Sequence, residues 1–122
     1  MRDQMDSTNP MRLLSAFYIA LWGQLDALSD ERRWVRTVGS RAQGELEQRA
    51  DDVLKELSVT SQVTLSISLK QLEADKARAQ EFLYEWHGSQ PEARERLRAR
   101  LEELRGYFEQ QGLAFGAAAA AS

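Results

Sequence analysis

Apolar side chains recur every three or four residues along the first half of the chain. The repeat begins at Leu14 and ends at Leu57, and between them it passes through Phe17, Leu21, Leu25, Leu28, Val35, Val38, Ala42, Leu46, Ala50 and Val53. This spacing places the side chains on one face of an α-helix, which indicates packing against other helices. Asn9 and Pro10 are a good N-cap and a good first helical residue, so the first helix is predicted to begin there.

The first stripe contains a second helix-start signal, a hydroxyl followed by acids at Ser29, Asp30 and Glu31. The apolar phase continues across it, so the pattern allows one long helix over residues 10–57 or a helix bent near Ser29–Asp30. The part from Met11 to Leu28 is apolar on most of its circumference. We therefore expect that part to be covered on several sides.

The segment 57–69 has an ambiguous pattern. Val63 to Leu69 alternate with Ser and Thr as in a half-buried strand, but at a period of 3.6 they continue a helical stripe towards Trp86. We favour a helix, because a single strand would find no partner strand elsewhere in this chain. The Ser, Thr and β-branched content makes it the least stable helical part.

Clear end signals follow this second stripe. Gly88 is expected to end the helix after His87 in a left-handed conformation, and Ser89 with Glu92 matches a capping box that starts a third helix. The third stripe runs to Gly112 through Ala93, Leu97, Leu101, Leu104 and Phe108. Leu113 and Phe115 are expected to fold back on its last turn.

These elements predict an all-α fold, an antiparallel bundle of three main helices with coiled-coil-like packing that self-association completes. A length of 122 residues suits one domain. We divide the chain into a flexible N-terminus at 1–9, a single helical domain at 10–115 and an Ala-rich tail at 116–122. The most apolar run, Leu13 to Gly23, is about half of the roughly 20 residues that span a bilayer, so we expect no membrane span.

Composition removes several classes of chemistry. Cysteine is absent, which excludes thiolate nucleophiles and thiolate-bound metals and fits a cytoplasmic location. His87 is the only histidine, and neighbouring acids such as Asp51 and Asp52 point in different directions on a helix. We therefore predict no catalytic residue, no metal site and no cofactor. A net charge of -3 makes nucleic acid an improbable partner.

Surplus aromatic and basic residues remain as candidates for a partner surface. Tyr18 with Trp22, and Tyr84 with Trp86, widen their stripes beyond what one partner helix covers, which favours an oligomeric interface. The candidate interface residues are Leu14, Phe17, Tyr18, Leu21, Trp22, Leu25 and Trp86. Arg32, Arg33 and Arg36 around Trp34 are candidate contacts to an anion or partner.

These features favour a non-enzymatic helical interaction protein, an oligomeric scaffold, adaptor or small chaperone that binds itself and another protein. Small size, long amphipathic helices and a Ser/Thr-rich middle also resemble the architecture of the phasins, although the chain carries no phasin motif. That resemblance implies an amphipathic coat on a hydrophobic granule surface as the alternative. An enzyme with a site between helices and a nucleic-acid-binding helical protein rank lower.

Overall fold

The computed structural model describes residues 10–29, 40–60 and 68–121, which fold into four α-helices. We number them in chain order: α1 is Pro10–Ser29, α2 is Ser40–Thr60, α3 is Leu69–His87 and α4 is Pro91–Ala121. The described residues contain no strand, so the prediction of an all-α chain is confirmed. None of these four helices is long and apolar enough to cross a membrane.

The first apolar stripe belongs to two helices that fold back on each other. Helix α1 ends at Ser29, and α2 packs along α1, so closely that a Cβ on Gly23 would lie 2.9 Å from Leu46 Cδ1. Folding back is favoured because a single rod would leave the broad apolar surface of α1 in water. The described residues thus form four helices where we expected three main ones; residues 30–39, with Asp30, lie outside them.

Helix α1 is the centre of the bundle and packs against the other three helices. It runs antiparallel to α4, its closest partner: Ser15 binds Gly112 near one end, whereas Asp26 binds Arg105 near the other. Helices α2 and α4 flank α1 without packing on each other. One apolar core joins all four helices, and its largest fully buried aromatic members are Phe17, Tyr18, Phe82 and Phe108.

At the ends of α3, the predicted boundary at His87 is confirmed and the predicted conformation of Gly88 is wrong. Ser68 is the N-cap and accepts from the Gln71 backbone N–H at 3.1 Å. Helix α3 ends at His87 as predicted, but Gly88 has a φ of -87° and is not left-handed. The predicted helix 57–69 is helical at both ends, whereas residues 61–67 lie outside the described part of the chain.

The start of α4 differs from the predicted capping box. Helix α4 begins at Pro91, and the Gln90 carbonyl accepts its first backbone bond from Arg94 at 3.0 Å. The Ser89 hydroxyl donates to the Trp86 carbonyl at 2.8 Å. The Ser89 hydroxyl therefore contributes to the end of α3, where the Trp86 carbonyl also accepts from Arg94 Nε at 3.1 Å.

Helix α4 passes through Gly112 instead of ending there, and it continues to Ala121. Gly112 serves a close approach: a Cβ on it would lie 2.9 Å from Ile19 Cγ1 and 3.5 Å from Ile19 N. Glycine at a helix contact allows two backbones to come together. In a sequence, glycine also signals the end of a helix, which is why the predicted end at Gly112 is wrong. Leu113 does not fold back and is exposed.

Candidate functional site

A fully buried carboxylate, Asp75, lies inside the bundle between α1, α3 and α4. The Tyr18 hydroxyl donates to Asp75 Oδ2 at 2.5 Å, and the Tyr107 hydroxyl donates to the same oxygen at 3.0 Å. The Gln71 amide donates to Asp75 Oδ1 at 3.1 Å, and Arg78 Nη1 lies 3.6 Å from that oxygen. We call these five residues the Asp75 cluster.

The two phenols of the Asp75 cluster are held in their neutral, donating form. Burial raises the pKa of Tyr18 far above its usual range, and the hydrogen bond to Asp75 raises that pKa further. The pKa of Tyr107 is also raised, first by burial and then by its bond to Asp75. Both hydroxyls therefore remain donors to the carboxylate at neutral pH. Since Asp75 and Tyr18 are closed to solvent, we interpret the cluster as a fixed contact among three helices.

Sequence reasoning missed the Asp75 cluster, although the sequence holds a signal for it. Leu72 and Ala79 belong to the second apolar stripe, and Asp75 occupies the core position between them. An acid at a core position requires buried donors, because an unpaired buried charge is costly. The donors Tyr18 and Tyr107 belong to other helices, so the residues close to Asp75 in the sequence do not reveal them.

A groove of about 540 Å³ runs along the seam between α3 and α4, beside the Asp75 cluster. Its two arginines already have partners: Arg78 lies 5.7 Å above the ring of Tyr107, and Arg100 lies 5.6 Å above the ring of Phe82. Arg100 also pairs with Glu85 at 3.3 Å. These contacts fix both arginines along the groove, whose lining also contains the acids Glu81, Glu85 and Glu103, as expected for a solvated helix pair.

The outer face of α1 is a second concave surface, bounded by α2 on one side and α4 on the other. Arg12, Ala16 and Ile19 form one stripe on this face at helical spacing, and Ile19 is 47% exposed. A depression of about 320 Å³ lies over the stripe; we call it the α1 depression, and its lining also includes Ser15, Arg49, Gly116, Ala119 and Ala120. Small side chains on α4 leave room for it.

Most of the predicted interface residues lie inside this chain's own bundle. Six of the seven are fully or almost fully buried there, and they are Leu14, Phe17, Tyr18, Leu21, Leu25 and Trp86. Tyr18 stacks on Phe115 at 5.9 Å, and Arg94 lies 5.6 Å above Trp86. Trp22 is partly buried. An interface role for these residues stays a prediction, and the exposed positions of α1 are different ones.

The remaining candidates lie elsewhere or outside the description. Arg32, Arg33 and Arg36 fall in 30–39, which the structure does not describe. His87 is exposed at the last residue of α3. Among the described residues, no group of three His, Cys, Asp or Glu side chains could hold a metal ion.

Comparisons with protein-family models, with curated proteins and with solved structures find no match to this chain. Its function is therefore argued from its own surfaces.

Proposed function

We propose that the chain is a non-enzymatic helical interaction protein that binds further copies of itself through the outer face of α1. The observation that carries this proposal is the uncovered stripe of Arg12, Ala16 and Ile19 on the central helix of the bundle. Helices α2 and α4 flank the stripe and do not meet over it. An apolar strip bordered by polar residues is typical of protein interaction sites.

The apolar surface extends from α1 onto α4. Ile19 contacts Gly112, and Leu113, the next residue, is 65% exposed. Leu113, Gly116 and Ala120 follow each other at helical spacing on the side of α4 that borders the depression. Scattered single apolar residues are ordinary on a surface, whereas this group is continuous across two helices.

The polar groups of the core support a binding role over a catalytic one. Both oxygens of Asp75 accept hydrogen bonds from neighbouring side chains, and the carboxylate has no exposed surface. A general base must reach the proton that it takes from a substrate, and Asp75 is closed off from any substrate in the solvent.

Sedimentation velocity over a range of concentrations tests the proposal. We expect wild-type protein to associate at high micromolar concentration, and Ile19→Glu to remain a monomer with unchanged helicity. The matched control is Val59→Glu, because Val59 is 77% exposed on α2 and takes no part in the depression. A wild-type chain that stays monomeric, or an Ile19→Glu variant that associates as wild type does, would contradict the proposal.

The granule-coat alternative requires a larger change of structure. The apolar faces of the helices are buried within the bundle, so coating a granule would require the helices to separate and expose the core. Flotation of the protein with polyester granules or lipid droplets measures that binding directly.

A further inference from the structure

We infer that the Asp75 cluster determines which face α3 turns towards the core, and that α3 rotates about its own axis when the cluster loses its two tyrosine hydroxyls. This conformational role does not depend on the proposed self-association. It is indicated by a mismatch on α3: one carboxylate has no exposed surface, while two leucines of the same helix are only partly buried.

The buried face of α3 is not its most apolar face. The residues that the bundle buries are Leu72, Asp75, Ala79, Phe82 and Trp86. Leu69 and Leu83 are only partly buried. An α-helix advances about 100° per residue, so Leu83 lies about 80° and Leu69 about 120° from Asp75 in the same direction around the axis. Burial of apolar area alone would favour a rotation that brings the two leucines inwards and carries the carboxylate outwards.

Hydrogen bonds from two other helices oppose that rotation. Tyr18 on α1 donates to Asp75 Oδ2 at 2.5 Å, and Tyr107 on α4 donates to the same oxygen at 3.0 Å. A buried carboxylate is stable only while its oxygens are bonded, because an unpaired buried charge is costly. Since the donors belong to two different helices, they fix the angle of α3 around its axis as well as its position.

The leucine side of α3 faces α2. Lys76 lies seven residues from both Leu69 and Leu83, and its ammonium group pairs with Asp51 on α2. A lysine can keep its ammonium group at the surface while its apolar stem packs against other residues. Lys76 therefore does not prevent the two leucines from moving inwards.

The opposite side of α3 faces the groove between α3 and α4. Arg78 and Tyr107 belong both to the Asp75 cluster and to the lining of that groove. A carboxylate that has lost its donors gains hydration by moving towards the groove. The same movement turns the leucine side towards the core, and in the wild-type protein the bonds to Tyr18 and Tyr107 prevent it.

A single introduced cysteine measures the rotation. The chain has no cysteine of its own, so Leu83→Cys places the only thiol on the side that moves inwards. We expect this thiol to react several-fold more slowly with a thiol reagent when Tyr18→Phe and Tyr107→Phe are added. A loss of stability alone has the opposite effect, because a less stable fold opens more often and its thiol reacts faster.

Two controls separate the rotation of α3 from other changes. Leu46 is also partly buried, but it lies on α2 against Gly23 of α1, so the thiol of Leu46→Cys should not become slower in the double Tyr→Phe variant. Asp75→Asn keeps an oxygen that accepts from both tyrosine hydroxyls. In that background Leu83→Cys should react as it does in the wild-type background.

A triple variant keeps the test decisive if the double variant is too unstable to fold. Adding Asp75→Ala to Tyr18→Phe and Tyr107→Phe removes the unpaired charge and should raise the urea midpoint above that of the double variant. No bond then holds the original face inwards, so Leu83→Cys should again react more slowly than in the wild-type background.

Three outcomes would overturn the inference. If Leu83→Cys reacts in the triple variant as fast as in the wild-type background, the apolar core determines the face of α3 without the cluster. If Leu46→Cys slows as much as Leu83→Cys, the change is not confined to α3. If circular dichroism shows that the triple variant does not fold, the cluster is required for the fold as a whole.

Discussion

The structure allows an estimate of how much stability the hydrogen bond between Tyr18 and Asp75 contributes. Tyr18→Phe deletes the hydroxyl and keeps the ring, including its stacking on Phe115. The deleted bond is 2.5 Å long and joins two side chains that have no exposed surface. A hydrogen bond to a charged group contributes about 1.5–3 kcal/mol, and water cannot replace it here, so we expect a loss near the upper end.

The loss should stop short of the cost of an unpaired buried charge, which is about 3–5 kcal/mol. Asp75 still accepts from Tyr107 and Gln71 in the variant. We therefore expect the free energy of unfolding to fall by about 2–3 kcal/mol.

Urea unfolding followed by circular dichroism, at a concentration where the protein is monomeric, measures this change. The midpoint should shift at an unchanged slope, which identifies a change in stability and not in the unfolded state. Tyr84→Phe is the control, because it makes the same chemical change on an 85% exposed side chain and should cost less than about 0.5 kcal/mol. If Tyr18→Phe costs no more than this control, the bond to Asp75 does not hold the core together.

Two glycine substitutions test the packing of the core, and an alkaline pH series tests its ionisation. Gly106→Ala should raise the free energy of unfolding by up to about 1 kcal/mol, because the new Cβ has no atom within 4 Å beyond its chain neighbours and its own helix backbone, and alanine favours a helix. Gly112→Ala should lower it despite the same helix gain, since its Cβ would lie 2.9 Å from Ile19 Cγ1; equal effects in urea unfolding would contradict the close approach. The folded-state pKa values of Tyr18 and Tyr107 are raised above the ordinary value of about 10, so the folded protein keeps protons that the unfolded chain releases. Their stabilising effect is complete below pH about 10 and is lost above it, by up to about 1.4 kcal/mol per pH unit for each tyrosine. Urea unfolding over an alkaline series should show a shallower decline for Tyr18→Phe than for wild type, and equal declines would contradict the assignment.

The helices follow from local signals that the sequence displays. Pro10 begins α1 and His87 ends α3 at the predicted residues, because the signals that set these boundaries lie within a few residues of them. The features that failed depend on distant parts of the chain. Gly112 was expected to stop a helix, yet its lack of a side chain serves the approach of Ile19 from a segment more than ninety residues away.

The same distinction applies to the candidate sites. An apolar stripe predicts that Phe17 and Leu21 are covered, but it does not predict whether the cover comes from this chain or from another copy. Both are buried by the chain's own helices, because α2, α3 and α4 all pack on α1. The exposed position Ile19 lies on the same helix and differs from them only in its angle around the axis. Whether a position at a given angle is buried depends on where the neighbouring helices pack.

Tight packing of α4 on α1 also determines what can enter the uncovered strip of α1. A fifth helix would need an interaxial distance of about 8–10 Å and a continuous open strip along the axis. Gly112 and Gly116 instead draw α4 against α1: a Cβ on Gly116 would lie 3.1 Å from Ser15 Oγ. Beside the α1 depression of about 320 Å³, a second depression of about 480 Å³ lies between α1 and α2, and the two share Arg12, Ala16 and Arg49. The uncovered surface of α1 is therefore closed on the α4 side and extends on the α2 side, where Glu45, Asp52 and Glu56 give it mixed charge.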